Sequence, residues 1–111
     1  MTTSETTLRI DDEECRRLGG VLEVVGRRWA SAILLAVGRG AHRFSQIQAG
    51  VDGLSARMLT VRLRELEDAG LVQRVVAPTT PVSVRYGLTE QGRDLLSALQ
   101  PIGRYALRWE S

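Results

Sequence analysis

Apolar positions change period along the chain, and each change marks an element. From about Asp12 to Val25 they recur at helical spacing, placing Cys15, Leu18, Leu22 and Val25 on one face, with Asp11 or Asp12 positioned as a cap. Gly19 and Gly20 interrupt that face, each costing roughly 1 kcal/mol relative to alanine. They mark either a break or the close approach of another helix. The run Trp29 to Val37 is nearly all apolar and predicts a central core helix ended by Gly38 and Gly40. A short helix is expected over 44–49, then a turn through Gly50, Asp52 and Gly53, then a longer helix up to Gly70. In that longer helix Leu59, Leu63 and Leu66 stack into a buried stripe, Ser55 is the natural N-cap and Gly70 the stop.

After Gly70 the period falls to 2. Val72 to Val76 is a β-branched run, and Val82, Val84, Tyr86 and Leu88 alternate with Ser83, Arg85 and Gly87. The loop between them carries Pro78 and Pro81, which stiffen it. Thr89 then caps a last helix in which Leu95, Leu99, Ile102, Ala106 and Trp109 recur at 4-3-4-3 spacing, a heptad seam. Pro101 is expected to kink or divide that helix near Gln100.

The side of helix 55–70 opposite its leucines bears Arg57, Thr60, Val61 and Arg64. An exposed valine among arginines has little use on a surface that need only be wet. It suits a DNA major groove, where arginine grips guanine and an aliphatic group touches a thymine methyl. Two short helices joined by a glycine turn, the second one basic, form a helix-turn-helix, and the hairpin that follows is placed as its wing. The fold class expected is therefore α+β, mainly helical: a winged helix-turn-helix with dimerisation helices at both ends. Residues 1–9, Thr/Ser-rich and without period, read as a disordered lead-in, and 10–111 as one domain.

Charge sharpens this picture. Residues 1–23 hold three Arg against six Asp/Glu, 24–85 hold nine against four, and 86–111 hold three of each, so the positive excess sits in the middle of the chain. That asymmetry points to a polyanion. With one His, one Cys, no cluster of metal-ligand spacing and no phosphate loop, neither an enzyme nor a metal or other cofactor is indicated. The longest apolar run is too short to cross a bilayer and the N-terminus lacks a signal-peptide layout, so a cytoplasmic protein is expected.

Four segments together, VLEVVGRRW (21–29), HRFSQI (42–47), LSARMLTVRLRELEDAGLV (54–72) and VRYGLTEQG (84–92), resemble the HxlR-type winged helix-turn-helix regulators, relatives of MarR-type repressors. The resemblance implies a bacterial dimeric transcription factor on an inverted-repeat operator. Two positions depart from the family pattern. The usual Cys-Pro is here Cys15-Arg16, and Arg85 stands where the family often has an acid, which adds to the wing's attraction for phosphate.

On this reading Arg57 and Arg64 address base edges, Thr60 and Val61 neighbouring pairs, and Ser55 a phosphate at the helix N-terminus. Arg62 lies on the flank, either as a phosphate contact or as an ion pair with Glu65 or Glu67. Arg43 and Ser45 open the helix that crosses the backbone, and Arg74 and Arg85 lie on the wing. His42 reads as a loop residue. Leu18, Leu22, Leu95, Leu99, Ile102, Ala106 and Trp109 form the expected dimer interface; the alternative is that the last helix packs on the first within one chain. Trp29 and Trp109 are expected packing anchors; the alternative for Trp109 is a place in the lining of a ligand pocket at the dimer interface. Cys15 is either a small core residue or a sensor of oxidants or electrophiles. Arg16, Arg17 and the helix N-terminus favour a reactive thiol, and Glu13 and Glu14 oppose it. The partners expected are double-stranded DNA with a near-palindromic operator, a second copy of the chain, and a small-molecule or oxidant effector. Two rivals are a winged-helix protein-interaction module and a non-specific nucleoid-type binder.

Overall fold

The computed structural model describes residues 9–109. Most of the expected N-terminal lead-in thus lies outside the described residues. The elements follow the order α1 (Asp12–Val25), α2 (Ala30–Gly38), α3 (Phe44–Ala49), α4 (Ala56–Asp68), β1 (Val72–Ala77), β2 (Ser83–Leu88) and α5 (Glu90–Trp109). This is the mainly helical winged architecture expected from the sequence. The core gathers Ile33, Leu34 and Val37 of α2, Ile47 of α3, Leu59, Leu63 and Leu66 of α4, and Leu71, Val72 and Leu88 around the strands. α2 is its centre because both of its sides meet other elements, which its unbroken apolar composition allows.

Local chemistry fixes each boundary that matters to the site. The Asp11 carboxylate accepts from the Glu14 N–H at 2.8 Å and starts α1. α1 then runs unbroken through Gly19 and Gly20, and a Cβ at either would meet nothing within 4 Å. Neither a break nor a close approach occurs there within the chain. α2 starts at Trp29, which adopts φ 78°, a conformation rarely taken by a bulky side chain. Packing holds it there: the Arg28 guanidinium stacks 4.7 Å from the ring, and the indole lies against Gly53.

β1 and β2 pair antiparallel with Val72 opposite Leu88, Arg74 opposite Tyr86 and Val75 opposite Arg85. The Tyr86 N–H donates to the His42 carbonyl at 2.7 Å, tying the wing to the loop before α3. Thr89 joins α5 to the end of α4. Its hydroxyl donates to the Gly70 carbonyl at 2.6 Å and accepts from the Gly92 N–H at 2.9 Å, capping the helix. Gly92 is obligatory at this joint, since a Cβ would stand 2.1 Å from the Leu71 carbonyl oxygen.

α5 continues through Pro101 to Trp109 and is not divided. Ser97, whose carbonyl loses its donor to the proline, and Pro101 itself are exposed, so water substitutes for the missing bond. The described residues span 65 × 34 × 21 Å with a radius of gyration of 16.9 Å, whereas a compact domain of this size has about 13 Å. α1 contributes no fully buried residue. Among the described residues no helix is long and apolar enough to cross a membrane.

Candidate nucleic-acid interface

α4 is held at both ends. The Ser55 Oγ accepts from the Met58 N–H at 3.0 Å, and Gly70, at φ 79°, turns the chain so that the Leu71 N–H closes on the Leu66 carbonyl at 2.9 Å. With Leu59, Leu63 and Leu66 at most 2% exposed, the rotation of the helix is fixed. Arg57, Thr60, Val61 and Arg64 are all exposed on the other side. The Thr60 hydroxyl donates back to the Ala56 carbonyl at 2.9 Å, which uses its one proton and leaves its oxygen free to accept. Seven residues separate Arg57 from Arg64, about 10.5 Å along the axis, or roughly three base-pair steps.

The arginines divide by partner. Arg16 and Arg17 pair with Glu13, and Arg27 and Arg62 pair with Glu65. Arg43, Arg57, Arg64, Arg74 and Arg85 make no ion pair among the described residues. Unpaired guanidinium groups on a rigid helix face need no partner displaced before they meet an anion.

Arg62, on the flank of α4, is where two alternatives stood open. Only 15% of its side chain is exposed; Nε donates to the Arg28 carbonyl at 2.8 Å and Nη1 to Glu65 at 3.0 Å. It takes the ion-pair alternative and fastens α4 to the turn before α2. Glu65 also meets Arg27 at 3.5 Å, so three side chains brace that turn.

Arg43 stands at the N-cap position of α3, and the Gln46 side chain reaches back to accept from the His42 and Arg43 N–H groups at 3.2 and 3.1 Å. Ser45 is exposed in the first turn. The Arg43 guanidinium also donates to the Ser83 hydroxyl at 3.4 Å, joining the start of α3 to the wing. Partners in an antiparallel pair share a face, so the register puts Arg74 with Tyr86 on the body side of the ribbon and Arg85 with Val75 on the other. The two wing arginines therefore point in opposite directions. His42 is a loop residue, as expected. Gln48 was not anticipated from the sequence: its amide donates to the Leu54 carbonyl at 3.2 Å and sets the turn between α3 and α4. An amide just before a glycine turn was the one available signal.

Family comparison decides what this arrangement belongs to. The HxlR-like helix-turn-helix model matches residues 24–111. The chain belongs to the HxlR family. An HTH-type transcriptional regulator of Bacillus subtilis, YvaP, is 39% identical over 97 residues, covering 87% of this chain and 90% of its own. The reduced form of the transcriptional regulator YodB from B. subtilis superposes with a TM-score of 0.78 at 31% identity, covering 93% and 97%. The redox regulator HypR in its oxidised form superposes with a TM-score of 0.76 at 30% identity, covering 86% and 98%. This HxlR-family chain is thus a transcriptional regulator with a DNA-binding helix-turn-helix.

A second surface accompanies the first. Every exposed large hydrophobic residue among those described falls into one of two sets. Val61, Val75, Val76 and Val82 lie on α4 and the wing; Ile10, Leu18, Val21, Leu22, Leu35, Ile102, Tyr105, Leu107 and Trp109 lie on or beside α1, α2 and α5. The seam of α5 begins half-buried at Leu95, packed on the core, and opens outward until Trp109 is 74% exposed. Trp29 is a packing anchor within the chain; Trp109, 74% exposed among the described residues, is not. α5 does not close on α1 either, since a cleft of about 510 Å³ parts Val21 and Val24 from Leu95 and Ala98. Cys15 is exposed rather than a core residue, and both neighbouring arginines are engaged by Glu13.

Proposed function

We propose that the protein is a homodimeric, sequence-specific repressor acting in the cytoplasm on a near-palindromic operator. The observation that carries the reading is the outward face of α4: Val61, 41% exposed, stands between Arg57 and Arg64, neither in an ion pair among the described residues, on a helix whose ends and rotation are fixed. Each protomer inserts α4 into a major groove, with Arg57 and Arg64 on base edges, Thr60 and Val61 on adjoining pairs, and Ser55, whose hydroxyl proton remains available, on a phosphate. Arg43 and Ser45 add phosphate contacts from α3, and Arg74 and Arg85 from the wing.

A second copy accounts for the other surface. Leu18 and Leu22 of α1 and Leu99, Ile102, Ala106 and Trp109 of α5 are the residues it covers, with Leu95 at the inner edge. Nine large exposed apolar side chains on or beside one set of helices are more than a monomer of this size leaves to water. An oxidant or electrophile acting on exposed Cys15 is the effector this reading favours, supported by the likeness to YodB and to the redox regulator HypR. Footprinting across the gene's own promoter at two salt concentrations tests the reading. Two protected half-sites about 34 Å apart, lost at high salt, are expected. Equal affinity for random duplex would make it a nucleoid-type binder, and no protection at all a protein-interaction module.

A further inference from the structure

α5 presents two different faces. Its seam of Leu95, Leu99, Ile102 and Ala106 is the one assigned to a second copy. Arg93, Leu96, Ser97 and Gln100 recur at i, i+3, i+4 and i+7, roughly 140° round the axis from that seam. They form one wall of a cleft of about 520 Å³, whose other walls are the end of α2, the loop holding His42, and β2. A second copy seated on the seam leaves this cleft open. Buried Val37 and Leu88 make its apolar floor with half-buried Leu96. Gly38, Gly40 and Gly87 leave the adjoining backbone bare, so a ligand can approach it closely. A cleft of this size, with an apolar floor and a few polar groups, suits a small molecule.

The polar groups identify its class. Arg93 is the one permanent cation in the lining, no acid lines the cleft, and Arg93 makes no ion pair among the described residues. A single free guanidinium matches a single carboxylate, which it meets with two parallel N–H donors. A phosphate dianion would leave one charge uncompensated. Tyr86, Ser97 and Gln100 add groups that both donate and accept. His42 Nδ1 lies 3.1 Å from the Gly40 carbonyl. A carbonyl only accepts, so Nδ1 carries the proton and Nε2 of the neutral ring is left as an acceptor. A lining that accepts as well as donates calls for hydroxyls beside the carboxylate, while the floor meets the C–H groups between them.

We propose that this cleft binds a small hydroxylated monocarboxylate, a sugar acid, as an effector distinct from any oxidant at Cys15. Two parts of the molecule meet there. The Tyr86 N–H donated to the His42 carbonyl at 2.7 Å ties the β2 and His42 walls to the start of α3. The Arg93 wall belongs to α5, the helix assigned to the dimer. An occupant spanning both sets the angle between the reading unit and the dimer, so operator and ligand alter each other's affinity by the same factor. That consequence rests on the DNA-binding reading above; the site itself does not.

Titration of the DNA-free protein with glucuronate, followed by amide NMR shifts, tests the site. Saturable shifts are expected at Gly40, His42, Gly87 and Ser97. Glucose, which lacks the carboxylate, and cyclohexanecarboxylate, which lacks the hydroxyls, should each bind about tenfold more weakly or worse. R93Q should weaken glucuronate about tenfold, and R93K should recover only part of that loss. S97L should also weaken it, by filling the cleft while Arg93 is kept. Both positions are exposed on α5, so each variant should melt as wild type does. Saturating glucuronate should change operator affinity about fivefold in wild type and leave it unchanged in R93Q. No saturable shift up to about 10 mM glucuronate, shifts confined to other surfaces, or affinity unaltered by both R93Q and S97L overturns the site. Equal binding of cyclohexanecarboxylate overturns the hydroxylated class. Saturable binding that leaves operator affinity unchanged overturns the effector role. Failure of the ligand-free protein to bind any duplex overturns that role together with the DNA-binding reading, while the titration still decides the site.

Discussion

Replacing Arg62 with alanine separates two uses of a basic residue on a reading helix. The change removes the Nε–H donated to the Arg28 carbonyl at 2.8 Å and the Nη1–H donated to Glu65 at 3.0 Å. A hydrogen bond from a charged donor contributes about 1.5–3 kcal/mol. The lower half of that range applies, because Arg28 is exposed and water can reach its carbonyl, while Glu65 retains Arg27 at 3.5 Å. The ion pair, with Glu65 about a third exposed, adds only a few tenths. The sum is about 2 kcal/mol, or roughly 8 °C in melting temperature for a domain of this size. Melting followed by circular dichroism must be done at one protein concentration, since dimer stability depends on it. Arg62→Lys should recover less than half the loss, because one ammonium cannot reproduce a planar fork serving two acceptors on different elements. Operator isotherms at several salt concentrations complete the test, and the salt slope should match wild type. A variant that melts within about 2 °C of wild type while its slope falls by about 0.9 would place Arg62 on a phosphate and refute the bracing role.

Three further outcomes are expected. Arg64→Ala should cost on the order of 1–3 kcal/mol at the operator and relax base preference at one position of each half-site, measured by competition among single-base operator variants. Gly92→Ala should destabilise by on the order of 3 kcal/mol in calorimetry, because its Cβ would meet the Leu71 carbonyl oxygen at 2.1 Å, whereas Gly87→Ala, with nothing within 4 Å, should stay within about 0.5 kcal/mol. Leu22→Asp lies on the surface of one protomer yet should give a monomer in sedimentation velocity and weaken operator binding roughly 10²-fold as the two half-sites uncouple.

Much of this was legible because local rules and global packing agree. Ser55 and Gly70 bound α4 by capping chemistry that depends on few other residues, and the stripe of Leu59, Leu63 and Leu66 fixes which side faces out. The alternation of Val84, Tyr86 and Leu88 named the ribbon, but not which wing arginine shares a face with Tyr86; that needs the pairing register, which sequence period leaves open. The direction of Arg62 depends on a carbonyl 34 residues away and has no local signature. The division that Pro101 allows does not occur, because the rule against an interior proline relaxes where the residues that lose the hydrogen bond are exposed to water. Thr89 reads in the sequence as an ordinary helix cap, and its role with Gly92 as a joint to Gly70 and Leu71 emerges only once α5 is docked.

The brace formed by Arg62, Glu65 and Arg27 makes α1 a lever. Cys15 lies ten residues from Val25, about 15 Å along the axis. A sideways push of about 2 Å at that end is therefore a swing of about 8° at the other. The carbonyl of Arg28, three residues past Val25, accepts a hydrogen bond from Arg62 of α4, so the turn that ends this lever is tied to the helix that carries Arg57 and Arg64.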